Sequence, residues 1–387
     1  MEEVRIGVVG LGGMGINHIG SIEKTDGIRL TAVCDARKEV VEEQATKNKV
    51  EAFLEFDEMI KAGIVDAVLI ATPHYFHTPL AIAALEAGIH VLTEKPVAVH
   101  KADVEKMIAA YEKHPELKFA AMFQMRTMGI WKKLKSLIVN GELGKIKRIN
   151  WIITNWYRTQ AYYDGGGWRA TWKGEGGGVL LNQCPHQLDL FQWLFGMPSK
   201  IRATCALGKY HNIEVEDDVT AFCEYPEGHT GVFITSTGEY PGTNRLEIAC
   251  DRGRVVVENN TIKFDRTEML VQEHIDTCEN SFEAPAKWDV EVPPEKDGDD
   301  SYHRLIIANF ADAILTGADL IAPAQEGMNS IELSNSMVYS SIKDQTVELP
   351  LDSAKFATLL EELIANSTFV KPEEKKSKGD FTKSFNK

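Results

Sequence analysis

Short apolar runs separated by amphipathic stretches dominate the first third of the chain. Val4–Val9, Ile28–Cys34, Ala67–Ala71, Ile89–Leu92 and Phe119–Phe123 read as buried strands, each bounded by polar or glycine-containing turns. Between the last two runs, Val104, Met107, Ile108 and Tyr111 recur at i, i+3, i+4 and i+7, the apolar stripe of a helix. Strands alternating with helices predict an α/β arrangement, a doubly wound parallel sheet covered on both faces. Beyond Arg126 the period changes. A helix is expected over Ile130–Val139, and Arg148–Trp156 then alternates, with Ile149, Trp151 and Ile153 on one face. Asp218–Tyr225, Gly231–Thr237, Leu246–Ala249 and Val255–Glu258 follow at hairpin-like spacing, which predicts an open antiparallel sheet in a second, α+β domain. One helix over Val179–Leu194 interrupts it, and Ile307, Phe310 and Ile314 mark another that returns towards the first half.

Composition narrows the function classes. A net charge of -15 disfavours nucleic acid and anionic membrane surfaces as partners, because both select basic patches. The cysteines Cys34, Cys184, Cys205, Cys223, Cys250 and Cys278 form no C-x-x-C pair, so neither a zinc cage nor a disulfide framework is expected, and reduced thiols in a cytoplasmic protein are. No basic and apolar leader opens the chain and no apolar run reaches spanning length, so neither export nor membrane insertion is expected. From Lys371 the chain is rich in Lys, Glu and Ser, a composition that cannot offset its ordering entropy by burial.

The first strand runs into Gly10-Leu11-Gly12-Gly13-Met14-Gly15. This G-x-G-x-x-G opens a helix, where glycines let the backbone approach a pyrophosphate and the helix N-terminus offers unpaired N–H groups. Asp35 ends the second strand, placed to accept hydrogen bonds from ribose hydroxyls and to repel a 2′-phosphate, which favours NAD; Arg37 two residues on leaves NADP as the lesser alternative. After the third apolar run comes Ala71-Thr72-Pro73-His74-Tyr75-Phe76-His77. Thr72 and Pro73 are expected to wall the cofactor, and His77 to cap the next helix or touch the ligand. His74 and His77 lack partners for a metal, and no metal is expected. After the fourth run stands Glu94-Lys95-Pro96, at the carboxyl edge where such sheets bind ligands. That makes Lys95 a candidate proton-transfer group, with Glu94 and Gln124 among the cofactor contacts.

A second cluster, Gly176-Gly177-Gly178-Val179-Leu180-Leu181-Asn182-Gln183-Cys184-Pro185-His186-Gln187-Leu188-Asp189, lies in the other half. In a continuous helix Asn182, His186 and Asp189 would share one face. Alternatively, His186 and Asp189 are a hydrogen-bonded pair beneath the sheet, and Pro185 suggests that the helix proper begins there. Taken in order, the Rossmann fingerprint, Ala71-Thr72-Pro73, Glu94-Lys95-Pro96 and the glycine triplet leading to H-x-x-D resemble the Gfo/Idh/MocA oxidoreductase family, over nearly the whole chain short of the tail. The resemblance implies an N-terminal Rossmann domain (1–126), a C-terminal α+β domain built on an open antiparallel sheet (127–370) and, by composition, a mobile polar tail (371–387). It also implies NAD(P), oxidation or reduction of a sugar or cyclitol hydroxyl, and a homo-oligomer (dimer, tetramer or higher) formed through the sheet face. On matching positions it makes Lys95 the motif lysine, Pro96 its often cis proline and His186 the active-site histidine. Inositol-dehydrogenase-like members carry an aspartate four residues before that histidine, where this chain has Asn182. An amide cannot act as a base, so the proton work is expected at Lys95 and His186, with Asn182 orienting the sugar hydroxyl.

Oxidising a secondary alcohol sends a hydride to nicotinamide and a proton to a base. A free lysine titrates at about 10.4, so a lysine base near neutrality must be lowered by roughly three units, or about 4 kcal/mol. Burial, the nicotinium charge and a protonated His186 would all act in that direction. Glu94 would act against it if close, but neighbouring residues at a strand end face opposite sides. Between Trp156 and Glu175 the chain is dense in aromatic and hydrogen-bonding side chains. Trp156, Trp168 or Trp172 could stack on a pyranose face while Arg158, Arg169 and Tyr163 hold its rim. With Asn182-Gln183, this segment is similar to members acting on glycosides or anhydrosugars, and the expected substrate is a small-molecule sugar or glycoside oxidised at a ring secondary hydroxyl, C3 being the candidate. The alternatives are an inositol dehydrogenase, a redox-neutral enzyme that retains NAD while processing a glycoside, and a non-catalytic NAD-binding sensor.

Overall fold

The apolar runs of the first half become β1 (Val4–Val9), β2 (Ile28–Cys34), β4 (Ala67–Ile70), β5 (His90–Thr93) and β6 (Phe119–Ala121), joined by a short β3 (Glu51–Phe53). All pair in parallel, in the order β3-β2-β1-β4-β5-β6. This computed structural model describes residues 2–298 and 301–372. The strand order reverses between β1 and β4, which opens a ligand crevice at their carboxyl ends. Every residue of β4 is buried, because helices cover both faces. β3 gives no apolar signal, since two of its three residues are exposed.

The second sheet, among the described residues, contains β7 (Ile146–Ile153), β8 (Lys200–Leu207), β9 (Glu216–Glu224), β10 (Thr230–Ser236), β11 (Asn244–Cys250), β12 (Gly253–Glu258), β13 (Thr261–Thr267), β14 (Lys287–Val292) and β15 (Val347–Glu348). Their order is β14-β13-β12-β11-β7-β10-β9-β8-β15. The expectation of an antiparallel sheet is corrected at its centre, where β10 runs parallel to β7 with Phe233 opposite Trp151. The long connection through β8 and β9 permits this, since parallel neighbours need a crossover rather than a tight turn. Ile149, Trp151 and Ile153 are buried as the alternation requires. Trp151 packs 5.2 Å from Trp131 and 6.4 Å from Phe233, centroid to centroid, and burying each such ring stabilises by about 1.5–3 kcal/mol.

The single helix expected over Val179–Leu194 is two, Val179–Asn182 and Pro185–Phe195, with Pro185 in the first turn of the second. A proline there has no N–H to continue the first helix but suits the start of the next. The helix Gly327–Ile342 packs along β8, where Ser340 Oγ accepts from the Ala203 amide at 3.0 Å. The helix Tyr302–Thr316 returns to pack on the helix Gly13–Ile22 of the first half. Most of the polar tail, from residue 373 on, lies outside the described residues. Its first residue is anchored rather than free: Lys371 Nζ donates to the carbonyls of Gly166 and Arg169, each at 2.7 Å. Among the described residues no helix is long and apolar enough to cross a membrane.

Candidate active site

The glycine turn is shaped by contact. Gly10 has φ +90°, and a Cβ there would come within 2.7 Å of the Ala71 carbonyl; one at Gly15 would lie 1.9 Å from the Gly10 carbonyl. Gly12, the N-cap of the helix begun by Gly13 and Met14, faces open space within 4 Å, so donors at the helix start are accessible to a diphosphate. Asp35 accepts from the Leu11 amide at 2.7 Å and from Arg37 Nε and Nη2 at 2.9 and 2.8 Å. Burial raises its pKa, but Arg37 and the amides outweigh that and hold the carboxyl below its ordinary value. Thr72 Oγ1 is buried with no partner, beside the Gly10 turn whose Cβ it would touch. Pro73 precedes the short turn His74–Phe76. A dinucleotide with free ribose hydroxyls fits this set: an open glycine cradle, an ionised Asp35 and an orphaned hydroxyl on the wall.

Lys95-Pro96 is a cis peptide. Lys95 Nζ donates to the Asn182 carbonyl at 2.9 Å, which links the Rossmann edge to the second cluster. The Glu94 side chain is held within the protein: Oε1 lies 2.7 Å from His18 Nε2, and Oε2 accepts the Lys95 amide at 3.0 Å. Burial raises the Glu94 pKa, yet His18 and Lys95 bring it down to about 2. The His77 ring is held likewise: its Nδ1 and Nε2 lie 2.7 and 2.8 Å from the Pro96 and Thr72 carbonyls, so it braces the Lys95-Pro96 bend from behind. Burial lowers the Lys95 pKa most; Glu94 opposes it, Arg169 adds to it, Glu175 opposes and Arg158 adds again.

His186 Nε2 lies 3.1 Å from Gln124 Nε2. With the amide donating, the imidazole proton is on Nδ1, an atom that is buried and without a partner, as is Gln124 Oε1. Gln124, expected among the cofactor contacts, here orients the histidine. Burial, with help from Lys95, pushes the His186 pKa well below its ordinary value. The ring is therefore neutral, and the cations that help to depress Lys95 are arginines rather than His186. Asp189 joins neither proposed grouping. It receives Arg126 Nη2 and Nε at 2.6 and 2.8 Å, while Arg126 Nη1 reaches Glu326 at 2.5 Å. The helix break after Asn182 turns Asp189 away from it. Burial raises the Asp189 pKa above its ordinary value, with the bidentate Arg126 opposing the rise.

Tyr162, not anticipated, is the hub of the second cluster. Its hydroxyl donates to Asn182 Oδ1 at 3.2 Å and accepts from Arg169 Nη1 at 3.0 Å and Gln183 Nε2 at 3.2 Å. The Arg158 and Arg169 guanidinium groups lie 5.1 and 4.9 Å from its ring centroid, and Arg169 is 4.6 Å from that of Trp168. Trp168 meets His74 edge to face at 5.1 Å. Asn182 Nδ2 donates to Glu175, a second unanticipated residue, whose Oε2 accepts the Ala170 amide at 2.5 Å. A carboxylate set among Gly174, Gly176, Gly177 and Gly178 is the signal that would have marked it. Tyr163 and Trp172, expected at the sugar, are packed inside. Tyr163 is buried with its hydroxyl on Thr237 Oγ1 at 2.8 Å, and Trp172 is buried with its amide on Glu214 at 2.9 Å. Below the cluster Glu216 Oε1 accepts the Gly178 and Leu180 amides at 2.8 and 3.1 Å. The His74 and His77 rings stand 6.1 Å apart, and among the described residues no three metal-ligating side chains gather.

Comparison with known proteins places this geometry. Residues 4–121 match the model of an oxidoreductase family with an NAD-binding Rossmann fold, and residues 131–256 match the GFO/IDH/MocA C-terminal domain. Myo-inositol 2-dehydrogenase of Thermotoga maritima is 28% identical over 265 residues, 66% of this chain and 75% of that one. The 2,7-anhydro-N-acetylneuraminate hydratase of Mediterraneibacter gnavus is 28% identical over 205 residues, and the aligned part is about half of either chain, 53% of each. The WlbA dehydrogenase of Bordetella pertussis, solved with NADH and UDP-GlcNAcA, is 26% identical with a TM-score of 0.76, covering 90% of this chain and 100% of that one. With the NAD-binding fold and the family's C-terminal domain both matched, the protein is an NAD-dependent dehydrogenase acting on CH–OH groups. The chain belongs to the Gfo/Idh/MocA oxidoreductase family.

Proposed function

We propose that the protein oxidises a ring secondary hydroxyl of a pyranose sugar or its glycoside, the C3 hydroxyl being the candidate, with Lys95 as the immediate proton acceptor. The observation that carries this is the Lys95 ammonium nitrogen itself, lowered in pKa by burial and held 2.9 Å from the Asn182 carbonyl at the carboxyl edge of the sheet. NAD, when bound, would be held by Gly10, Gly12, Gly13, Met14 and Gly15 with Asp35 and Thr72 and would supply the acceptor for the two electrons of the carbinol C–H bond. Lys95, in its deprotonated form, takes the O–H proton. Asn182 and Tyr162 orient the hydroxyls, and Trp168 offers an apolar face to the ring. His186, neutral and with Nδ1–H unpartnered, donates a hydrogen bond to the reacting oxygen as it becomes a carbonyl. WlbA, a relative that binds a sugar nucleotide beside NADH, supports the pyranose reading.

The Lys95→Met variant is the test. NADH formation should fall by about 10²- to 10⁴-fold with NAD affinity retained. In the unsubstituted enzyme kcat/KM should rise with pH, with its midpoint below the range of an exposed lysine, because the base must be deprotonated. Near-normal turnover in Lys95→Met would overturn the role. The anhydrosugar hydratase among the relatives favours a second reading, in which NAD is retained and the cycle is redox-neutral. Released NADH counts for the first reading, and turnover without it for the second. Cyclitols belong in the substrate panel because the Thermotoga relative is an inositol dehydrogenase; activity on them alone would refute the sugar assignment. The same proposal includes a cytoplasmic homo-oligomer, supported by six unpaired thiols and an apolar row on the outer sheet face.

A further inference from the structure

Three cationic side chains gather in a protein whose net charge is -15. Arg158 and Arg169 both lower the pKa of Lys95, so all three act at short range across one cleft. Arg169 is the more telling. It is half-buried, its fork donates to the Tyr162 hydroxyl at 3.0 Å, and the guanidinium is flanked by the Tyr162 and Trp168 rings at 4.9 and 4.6 Å. Among the described residues no carboxylate lies within 4.0 Å of it. Glu175, whose pKa Arg169 lowers through space, accepts its hydrogen bonds from Ala170 and Asn182 instead. A partly buried guanidinium fork with no carboxylate in hydrogen-bonding contact gains by receiving one. Its planar fork, held between two aromatic faces, matches a carboxylate.

Resting on the sugar-oxidation reading above, we infer that the substrate is an acidic sugar, a pyranose bearing a carboxylate, and that Arg169 assisted by Arg158 receives that carboxylate. Tyr162 then has two tasks. Its hydroxyl positions Asn182, whose backbone carbonyl meets Lys95, and its ring and hydroxyl set the angle of the Arg169 fork. The substrate anion and the reacting hydroxyl are therefore registered against each other through one short chain of contacts: Arg169, Tyr162, Asn182, Lys95. An arrangement in which the arginines only lowered the Lys95 pKa would act on every sugar alike. Carboxylate recognition acts on the acids and spares the neutral sugars.

The experiment is steady-state NAD reduction by the full-length enzyme with D-glucuronate and methyl glucuronoside, set against glucose, methyl glucoside and glucose 6-phosphate, repeated with Arg169→Gln and Arg169→Lys. Expected are a lower KM for the uronates, a rise in that KM with ionic strength, and an increase of about 10- to 100-fold in Arg169→Gln. Because Arg169 also helps to lower the Lys95 pKa, kcat should fall for every sugar in Arg169→Gln; the rise in KM should be confined to the uronates, and Arg169→Lys should recover part of it. Equal KM values for acids and neutral sugars in the unsubstituted enzyme, or a KM rise in Arg169→Gln shared by both, would overturn the inference while leaving sugar oxidation standing. Preference for the sugar phosphate would overturn the carboxylate assignment. If no sugar of any kind is oxidised, it is the parent reading that has failed. Should Arg169→Gln not fold, the salt dependence of the unsubstituted enzyme still decides.

Discussion

Glu216 carries the sharpest pH signature in the second cluster. It is fully buried beneath the turn Gly178–Leu180, and burial pushes its carboxyl up to about 7 even though two amides favour the charged form. In the unfolded chain the same group titrates near 4.5. Between those values the folded chain holds a proton that the unfolded chain has released. The contribution to stability is thus complete below the unfolded pKa and is lost as pH rises through the folded one, by about 3 kcal/mol in all. Glu216→Gln keeps a carbonyl oxygen for the Gly178 and Leu180 amides and removes the ionisation. Urea unfolding should show the variant close to the unsubstituted protein at or below the unfolded pKa of 4.5 and more stable by about that amount under mildly alkaline conditions. An identical difference at both pH values would mean that Glu216 does not titrate in this way. At this scale the sequence is least readable. Tyr162 and Tyr163 are chemically equal neighbours on a one-turn helix, and only the tertiary positions of Thr237 and Asn182 decide which of them enters the site.

The helix Pro185–Phe195 holds His186 in place because it is fastened at its middle. Asp189 receives the fork of Arg126 from the turn Gln124–Thr127, which also carries the Gln124 that touches His186. One buried ion pair and one side-chain amide thereby join the two halves at the histidine. Such a pair adds little net stability compared with an apolar replacement, but removing one partner strands a buried charge. Asp189→Ala should lower stability by about 3–5 kcal/mol in chemical unfolding, and a double variant Arg126→Met, Asp189→Leu should regain much of it. A loss below about 1 kcal/mol in the single variant would show that Glu326 alone satisfies Arg126. The H-x-x-D spacing was legible, but its meaning was not. His186 and Asp189 do share one helix, but grouping Asn182 with them assumes that the helix runs on through Asn182, whereas a break at Gln183-Cys184 followed by Pro185 changes the direction in which Asn182 projects.

The whole molecule divides by how each sheet is covered. The doubly wound half was readable almost strand by strand, because strands buried on both faces leave unbroken apolar runs, as in β4. The second sheet was readable only where one face is buried. β14 alternates in sequence, with Trp288, Val290 and Val292 at every second position, but is exposed along nearly its whole length, so the pattern marks no buried face, and the parallel pairing of β7 with β10 depends on a connection that local pattern does not encode. The outer face of this sheet bears a further consequence. Phe222, 43% exposed, lies beside Val232, and Ile234 beside Ile152. These four form an apolar row across β9, β10 and β7, flanked by the Arg148–Glu247 and Arg245–Glu258 ion pairs. An apolar centre with a charged rim is the anatomy of a subunit contact. Light scattering should therefore give a multiple of 43.1 kDa at micromolar concentration. Phe222→Glu with Ile234→Glu should give the single-chain mass, since charges placed at the centre of the contact oppose each other and lose their water. A single-chain mass for the unsubstituted protein, or an unchanged multiple for the variant, would place the oligomer contact elsewhere or remove it.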